Sequence, residues 1–224
     1  MIWERVVTKS FISWSGGKDS CLALYKALKT GVKASFLLTM LEEKGLRSRS
    51  HGLKKKVFDI QSKAIGVPIL YKKTSWENYE EKFKEAIEWL KKHGVEAGVF
   101  GDIYLPEHKD WVEKVCSETK IKALEPLWGE PYEKIINEFL AYGFEAIIIS
   151  VKSKLINEDW LGKSFNKNFI NYLKSIKVDL LGENGEYHTL VTYGPLFKKR
   201  IKILKDEKIQ VGDHSFLDVE VDLK

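Results

Sequence analysis

The sequence predicts an α/β protein: a doubly wound parallel sheet, followed by a smaller mixed α+β domain. In the first half, short apolar segments that suit strands alternate with amphipathic segments that suit helices, and the links are short. After Pro126 this alternation stops and several strand-like segments occur close together. We therefore place a domain boundary there, with one domain at 1–125 and a second at 126–224.

The individual elements follow from hydrophobic periodicity. In the first domain we predict strands at 10–12, 33–40, 67–71, 97–101 and 121–124, and helices at 21–28, 53–65, 76–93 and 107–118. In the second domain we predict helices at 132–142 and 169–175, strands at 145–151, 187–193, 200–205 and 216–221, and a polar connection at 152–167. Ligands of such parallel sheets bind beyond the carboxyl ends of the strands, so functional residues are expected at that edge.

The composition restricts the class of ligand. Of the 224 residues, 44% are hydrophobic and 31% are charged, which is typical of a soluble globular protein. The net charge of +5 suits an anionic ligand but is too small to indicate an extended nucleic-acid surface, so nucleic acid is an unlikely partner. Two cysteines, Cys21 and Cys116, are too few for a disulfide framework or a zinc cluster.

The sequence also indicates a cellular location. The first residues lack an apolar signal region, and the longest apolar stretches fall far short of the ~20 residues of a membrane helix. We therefore expect a cytoplasmic protein with no membrane partner. The oligomeric state stays open, and a homo-oligomer is compatible with the sequence.

The most informative segment is the turn between the first strand and the first helix, Ser13-Trp14-Ser15-Gly16-Gly17-Lys18-Asp19-Ser20. Backbone N–H groups of a glycine turn at a helix start converge and bind anions, and glycine lets the ligand approach closely. We predict that this turn binds ATP, with Lys18 as a mobile charge on the β and γ phosphates and the serines as hydroxyl donors. Asp19 is expected to cap the helix, to ligate Mg²⁺, or to do both.

Three dipeptides at the same predicted edge are further candidates: Thr39-Met40, His51-Gly52 and Gly101-Asp102. The backbone of the first could read adenine while Met40 packs on the ring, although ordinary core packing is the alternative. Gly101 permits close approach, and Asp102 could reach ribose, metal or substrate or simply cap a turn. His51 could contact phosphate or an acyl-adenylate oxygen, although a lone histidine is usually incidental.

A fourth candidate is the polar segment Gly182-Glu183-Asn184-Gly185-Glu186-Tyr187-His188-Thr189-Leu190-Val191, which leads into a strand. Carboxylates beside an ATP site can orient a cationic amine, carry Mg²⁺ or accept a proton. Glu186 and His188 are two residues apart and are predicted to share one strand face. A tight polar hairpin turn is the alternative interpretation.

These segments together carry a family resemblance. The hexapeptide from Ser15 to Ser20 resembles the S-G-G-x-D-S signature of the PP-loop (N-type) ATP pyrophosphatases, whose fold is of the adenine nucleotide alpha hydrolase-like type. With Phe100-Gly101-Asp102-Ile103, Glu125-Pro126-Leu127-Trp128 and the segment from Gly182 to Val191, the chain resembles the diphthine–ammonia ligases, also called diphthamide synthetases. The family pattern usually has Glu where His188 stands.

The resemblance implies a reaction. ATP would adenylate the carboxylate of diphthine, a modified histidine of translation elongation factor 2, and ammonia would displace AMP to give diphthamide. The implied cofactors are ATP and Mg²⁺, and the implied partners are elongation factor 2 and ammonium. Residue 2 is Ile2, whereas one glutaminase class uses a cysteine exposed after removal of Met. Free ammonium is therefore the expected donor, unless a separate protein supplies the ammonia.

The resemblance also assigns roles to residues. The implied ATP and pyrophosphate site includes Ser13, Ser15, Gly16, Gly17, Lys18, Asp19, Ser20, Thr39, Met40, Gly101 and Asp102. The implied substrate side includes His51, Gly52, Glu183, Glu186, His188 and Thr189. Within these sets the catalytic candidates are Lys18, Asp19, Glu183 and Glu186.

Two other functions stay open on the sequence. A tRNA-modifying PP-loop enzyme would share the loop and the AMP chemistry, although sulfur transfer normally needs paired cysteines and tRNA a strongly basic face. A non-catalytic sensor would bind ATP or AMP and release no pyrophosphate.

Overall fold

A computed structural model describes residues 7–224 of the chain. The first part contains β1 (Lys9–Ser13), α1 (Lys18–Lys29), β2 (Lys33–Leu41), α2 (Lys55–Ile65), β3 (Ile69–Lys73), α3 (Tyr79–Lys92), β4 (Ala97–Val99), α4 (Pro106–Glu118) and β5 (Lys122–Leu124). The second part contains α5 (Tyr132–Ala141), β6 (Glu145–Lys152), a short 3-10 helix (Glu158–Trp160), α6 (Lys167–Ser175), β7 (Tyr187–Tyr193), β8 (Ile201–Val211) and β9 (His214–Leu223).

The first part is a five-stranded parallel sheet with the strand order β3-β2-β1-β4-β5. Helices cover both faces, as alternate residues of β1 demonstrate. Phe11 packs in one apolar cluster with residues of α3 and α4, such as Phe83 and Val112. Its neighbour Ile12 packs in the other cluster, with residues of α1 and α2. The predicted fold class, a doubly wound parallel sheet followed by an α+β part, is confirmed.

The second part is an antiparallel sheet with the order β7-β6-β9-β8. It packs against the first part rather than standing apart from it. Leu22 of α1 and Phe58 of α2 belong to the same buried cluster as Ile148 of β6 and Leu190 of β7. This shared core holds β7 beside the turn that follows β1.

The start of α3 differs from the prediction. The helix begins at Tyr79 rather than at Trp76, because Asn78 closes a turn ahead of it: its Oδ1 accepts hydrogen bonds from Ser75 N–H at 2.9 Å and from the Thr74 hydroxyl at 2.8 Å. Trp76 therefore lies in the loop after β3, where 64% of its surface is exposed.

The last two strands are longer than predicted. The ladder of β8 and β9 continues to a two-residue turn, with Gly212 at φ +62°. The extension was not predicted because the charged residues 205–208 lack the apolar alternation that indicates a strand. The predicted polar connection at 152–167 contains the 3-10 helix and the buried Ile156 and Phe165. No helix in residues 7–224 combines the length and apolar character needed to cross a membrane.

Candidate functional site

A cavity of about 430 Å³ lies at the carboxyl edge of the parallel sheet, where the strand order switches between β1 and β4. Most of the predicted site residues line it: Ser13, Ser15, Lys18, Asp19, Ser20, Thr39, Met40, His51, Gly101, Asp102, Glu183, His188 and Thr189. They come together because the loops after β1, β2 and β4 all open at this edge, and the chain that enters β7 closes one side.

The two glycines of the turn lie next to other residues of the protein, whereas the prediction was that they leave room for a ligand. Gly16 has φ +74°, a conformation that favours glycine, and a Cβ there would overlap the side-chain amide of Gln61. A Cβ on Gly17 would lie 3.1 Å from His51 Cε1. The close approach that these glycines permit in this structure is therefore to the protein's own side chains, and neither glycine lines the cavity.

The side chain of Gln61, in α2, forms hydrogen bonds that hold the turn in place. It is fully buried, and its Oε1 accepts a hydrogen bond from the indole N–H of Trp14 at 3.0 Å. Its Nε2 donates to the carbonyls of Gly16 and Val191, both at 3.0 Å, and Val191 N–H in turn donates to the Gly16 carbonyl at 3.0 Å. One side chain thus connects α2, the turn and β7.

The backbone amides of the turn are partly occupied. Lys18 N–H donates to the Thr189 hydroxyl at 3.0 Å, and Gly17 N–H points to Ser15 Oγ at 3.4 Å. The N–H groups of Gly17 and Lys18, which were expected to bind an anion, are therefore directed at hydroxyl oxygens of the protein in this structure. Thr189, which was assigned to the substrate side, contacts the turn directly.

The Lys18 side chain is paired within the protein in this structure, and its role on the ATP phosphates stays a prediction. The side chain is buried, and its ammonium donates to Asp19 Oδ2 at 2.8 Å and to the carbonyl of Leu181. It also lies 5.2 Å from the ring centroid of Tyr187. Burial explains the pairing, because an ammonium removed from water needs acceptors.

Asp19 does not cap the helix as predicted. Helix α1 begins at Lys18 with Gly17 as its N-cap, and no side chain supplies a capping hydrogen bond. Burial raises the pKa of the Asp19 carboxyl, and the adjacent Lys18 partly opposes this effect. Its Oδ1 atom finds no hydrogen-bond partner within residues 7–224, so one buried acceptor remains available for a cation.

Carboxylates gather on the β4 side of the cavity. Burial, followed by repulsion from Asp19, raises the pKa of Glu183 to about 7, and Asp102 contributes in the same direction. Glu183 Oε2 accepts a hydrogen bond from Ile103 N–H at 3.2 Å. Asp102 Oδ1 lies 3.2 Å from His108 Nδ1, and that contact raises the pKa of the imidazole. This side of the cavity is rich in negative charge.

Cationic and imidazole groups lie on the opposite, β2 side. The rings of His51 and His188 are stacked, with centroids 4.1 Å apart and planes at 23°. Arg49 lines the same side and lies 4.8 Å from the ring centroid of Trp76. Because β2 and β4 flank β1, Lys18 stands between a cationic end and an acidic end.

Besides Gly16 and Gly17, two more predicted residues, Gly52 and Glu186, are absent from the cavity lining. The Gly52 carbonyl accepts a hydrogen bond from Arg47 Nη1 at 2.9 Å, away from the lining. The buried Glu186 side chain accepts a hydrogen bond from Asn184 N–H at 3.1 Å and is also absent from the lining. Glu186 precedes the first residue of β7, so the shared strand face predicted for it and His188 does not form.

Sequence reasoning missed several residues that build this site. Gln61 had a readable signal, because it is a polar residue on the otherwise apolar face of α2 formed by Val57, Phe58 and Ala64. Trp76, Tyr79 and Trp111 line the cavity but look like ordinary core aromatics in the sequence.

The donor set is compatible with Mg²⁺. This ion takes one or two protein carboxylates and completes its octahedral shell with water and substrate phosphates. Asp19 offers an unpartnered oxygen and Asp102 lines the same cavity. The side chains in residues 7–224 form no cluster of three or more His, Cys, Asp or Glu that would hold a metal alone, so water and phosphate oxygens would have to supply the remaining ligands.

Comparison with known proteins gives consistent results across the chain. Residues 8–123 match the family model of the diphthamide synthase N-terminal domain, and residues 131–224 match that of the C-terminal domain. A diphthine–ammonia ligase of Schizosaccharomyces pombe is 30% identical over 94% of this chain, which spans 39% of that relative's length. Those of Rattus norvegicus and Homo sapiens are each 26% identical over 92% of this chain and 86% of their own length.

Solved structures also match this chain, including one from Methanocaldococcus jannaschii. A predicted subunit of tRNA methyltransferase from Methanocaldococcus jannaschii is 17% identical, with a TM-score of 0.45, over 83% of this chain and 96% of its own. Similarity at this level bears on neither the activity nor the site.

Proposed function

Because this chain belongs to the diphthamide synthase family, we propose that it is an ATP-dependent ligase that converts diphthine on elongation factor 2 to diphthamide with ammonia. One observation carries the proposal: Lys18 stands in a single cavity between a cationic end and an acidic end. Such a cavity can accept the polyphosphate of ATP on one side and a cationic acceptor on the other.

The first step is adenylation. An oxygen of the diphthine carboxylate attacks the α-phosphorus of ATP, and the bond to the β-phosphate breaks, so that pyrophosphate leaves. Lys18 is placed to stabilise the charge on the departing phosphates once its ammonium exchanges the Asp19 carboxylate for phosphate oxygens. Mg²⁺ bound at Asp19 and Asp102 would neutralise phosphate charge.

The second step is amide formation. The nitrogen of ammonia attacks the acyl carbon, AMP leaves with the electrons of the acyl–oxygen bond, and a proton is lost from nitrogen. Glu183 is suited to hold the incoming ammonium and to accept the proton whose loss makes it nucleophilic ammonia, because its pKa of about 7 lets both protonation states exist near neutral pH. The second proton, which is lost from nitrogen after the attack, passes to solvent. The Ile103 N–H bond orients the carboxylate toward the cavity.

The test is a ligase assay with ATP, Mg²⁺, ammonium and diphthine-bearing elongation factor 2. We expect AMP, pyrophosphate and a mass decrease of about one unit on the factor, because OH is replaced by NH₂. ADP as the product would overturn the α–β cleavage. AMP formation that depends on tRNA instead would favour the base-modifying alternative, and tight ATP binding with no pyrophosphate released would favour a sensor.

A paired variant tests the role of Lys18. Lys18→Ala should slow adenylation by about 10²-fold or more, because a charge partner of the leaving group is lost. Lys63→Ala is the matched control, since Lys63 is an exposed lysine of α2 outside the cavity lining. Equal adenylation rates in the two variants would remove Lys18 from the mechanism. As a partner of elongation factor 2, the enzyme would act in the cytoplasm.

A further inference from the structure

The stacked imidazoles of His51 and His188 are a feature that the proposed reaction does not use. His51 comes from the loop after β2 and His188 from β7, yet their ring centroids are only 4.1 Å apart. Both residues line the cavity, and His51 Nδ1 is buried without a hydrogen-bond partner in the described part of the chain. A polar atom in that state is available to a ligand.

The pair lies against the phosphate-binding turn. A Cβ placed on Gly17 would be 3.1 Å from His51 Cε1 and 3.4 Å from the Thr189 hydroxyl, which itself accepts the hydrogen bond of Lys18 N–H. The imidazoles therefore form a wall of the space immediately above the turn. A polyphosphate held at this turn would meet them.

Without a ligand, the charges around the pair oppose protonation. Burial, followed by the Lys18 charge, lowers the pKa of His51 to about 4. Burial, His51, Lys18 and His214 together lower the pKa of His188. The groups that face the pair are thus Lys18 from α1, Arg49 from the loop after β2 and His214 from β9, whose Nδ1 lies 2.7 Å from Asp213.

A bound polyphosphate reverses this balance. One negative charge about 5 Å away, at an effective dielectric constant of ~20, favours the protonated imidazole by a factor of about 10². A pKa of about 4 leaves roughly one His51 ring in a thousand charged at pH 7. Two phosphate charges at that distance are therefore enough to make the charged form predominate.

We propose that the His51–His188 pair is a proton-accepting wall of the pyrophosphate site, which takes up one proton when polyphosphate binds and returns it when pyrophosphate leaves. The inference rests on the proposed nucleotide site and adds its ligand chemistry. The step moves one proton from solvent to an imidazole nitrogen and back, and no covalent bond to the protein forms. The site would thereby gain positive charge only while the polyphosphate is present.

The first measurement is calorimetry of Mg²⁺–pyrophosphate binding at pH 7 in three buffers of different ionisation enthalpy. Protons exchanged by pyrophosphate itself are common to all variants, so the difference between variants isolates the protein. Relative to the unaltered protein, His51→Asn and His188→Gln should each take up about 0.5–1 fewer protons and bind pyrophosphate about tenfold or more weakly. His93→Gln, which removes an exposed histidine that stacks on Trp89, should change neither quantity.

The second measurement needs no variant. In the protein with isotope-labelled histidine, the ring resonances of the pair should move from neutral imidazole to imidazolium on addition of saturating pyrophosphate at pH 7. Rings that stay neutral, or equal proton uptake in all variants, would overturn the inference and leave the ligase proposal standing. ADP in the ligase assay would overturn the ligase proposal and leave the proton count untouched.

Discussion

The contacts of Gln61 predict that one buried amide stabilises both the fold and the turn between β1 and α1, which we propose binds ATP. In Gln61→Met the side chain keeps its approximate length, but the acceptor of the Trp14 indole N–H and the donor to two carbonyls are lost. The Gly16 carbonyl keeps the bond from Val191 N–H at 3.0 Å. The groups left without this hydrogen-bond partner are therefore the Trp14 indole N–H and the Val191 carbonyl.

Each buried polar group left without a partner costs about 1–3 kcal/mol. Two such groups, set against the small gain from an apolar side chain, lower the free energy of unfolding by about 2–4 kcal/mol. With a urea dependence of about 2 kcal/mol per M, the unfolding midpoint should fall by about 1–2 M. Tryptophan fluorescence during urea titration measures this midpoint.

The same change should raise the KM for ATP more than it lowers kcat, because Gln61 positions the turn without lining the cavity. Gln210→Met is the matched control, since Gln210 is an exposed glutamine of β8. Gln61→Glu retains an acceptor for Trp14 but donates only when protonated, so its deficit should be smaller at pH 5 than at pH 8. An unfolding midpoint within about 0.3 M of the unaltered protein for Gln61→Met would refute the reasoning.

Two further substitutions test the surroundings of the turn. The folded pKa of Glu183, about 7, exceeds its unfolded value of 4.5, so its contribution to stability is complete below pH 4.5 and is lost as the pH rises through 7. The glutamine in Glu183→Gln cannot ionise, so the free energy of unfolding of this variant, relative to the unaltered protein, should rise by about 1–3 kcal/mol between pH 5 and pH 8. Thermal unfolding measures this difference, and a difference that does not change with pH would contradict the prediction. Gly16→Ala should lower the free energy of unfolding, measured in urea, by about 2 kcal/mol or more, because a Cβ there meets Gln61. Gly129→Ala, which has a similar φ of +70° but open space around it, should lower it by only about 1 kcal/mol. If both variants lower the free energy of unfolding equally, the contact between the new Cβ and Gln61 does not destabilise the fold.

The sequence was sufficient for the fold and for the family because both depend on local patterns. The alternation of strand and helix periods predicted the parallel sheet, and the edge rule correctly placed distant candidates such as Thr39, His51 and Asp102 at one cavity. The resemblance drawn from the motifs is confirmed by family models that cover both parts of the chain.

The hydrogen-bond partners of the turn could not be predicted from the sequence, because they are determined by packing between residues far apart in the chain. Lys18 N–H and the hydroxyl that accepts its bond are 171 positions apart, and Gln61 is 47 positions from Trp14. No periodicity encodes such pairs. A motif indicates which backbone a turn adopts, but not which of its donors the rest of the protein already uses. For that reason the pairing of Lys18 was not predicted, and of the two roles considered for Asp19 the helix cap is absent.

These partners also connect the two parts of the chain at the proposed site. The Lys18 ammonium bonds the Leu181 carbonyl, which precedes Glu183 by two residues, and Thr189 of β7 accepts the Lys18 amide. A phosphate that draws the ammonium away from Leu181 therefore removes a constraint on the segment that carries Glu183. In the proposed reaction, binding of ATP would thus be coupled, through this one lysine, to the position of the Glu183 carboxylate. The proposed boundary at 125/126 separates two sheets, but the proposed chemistry spans it.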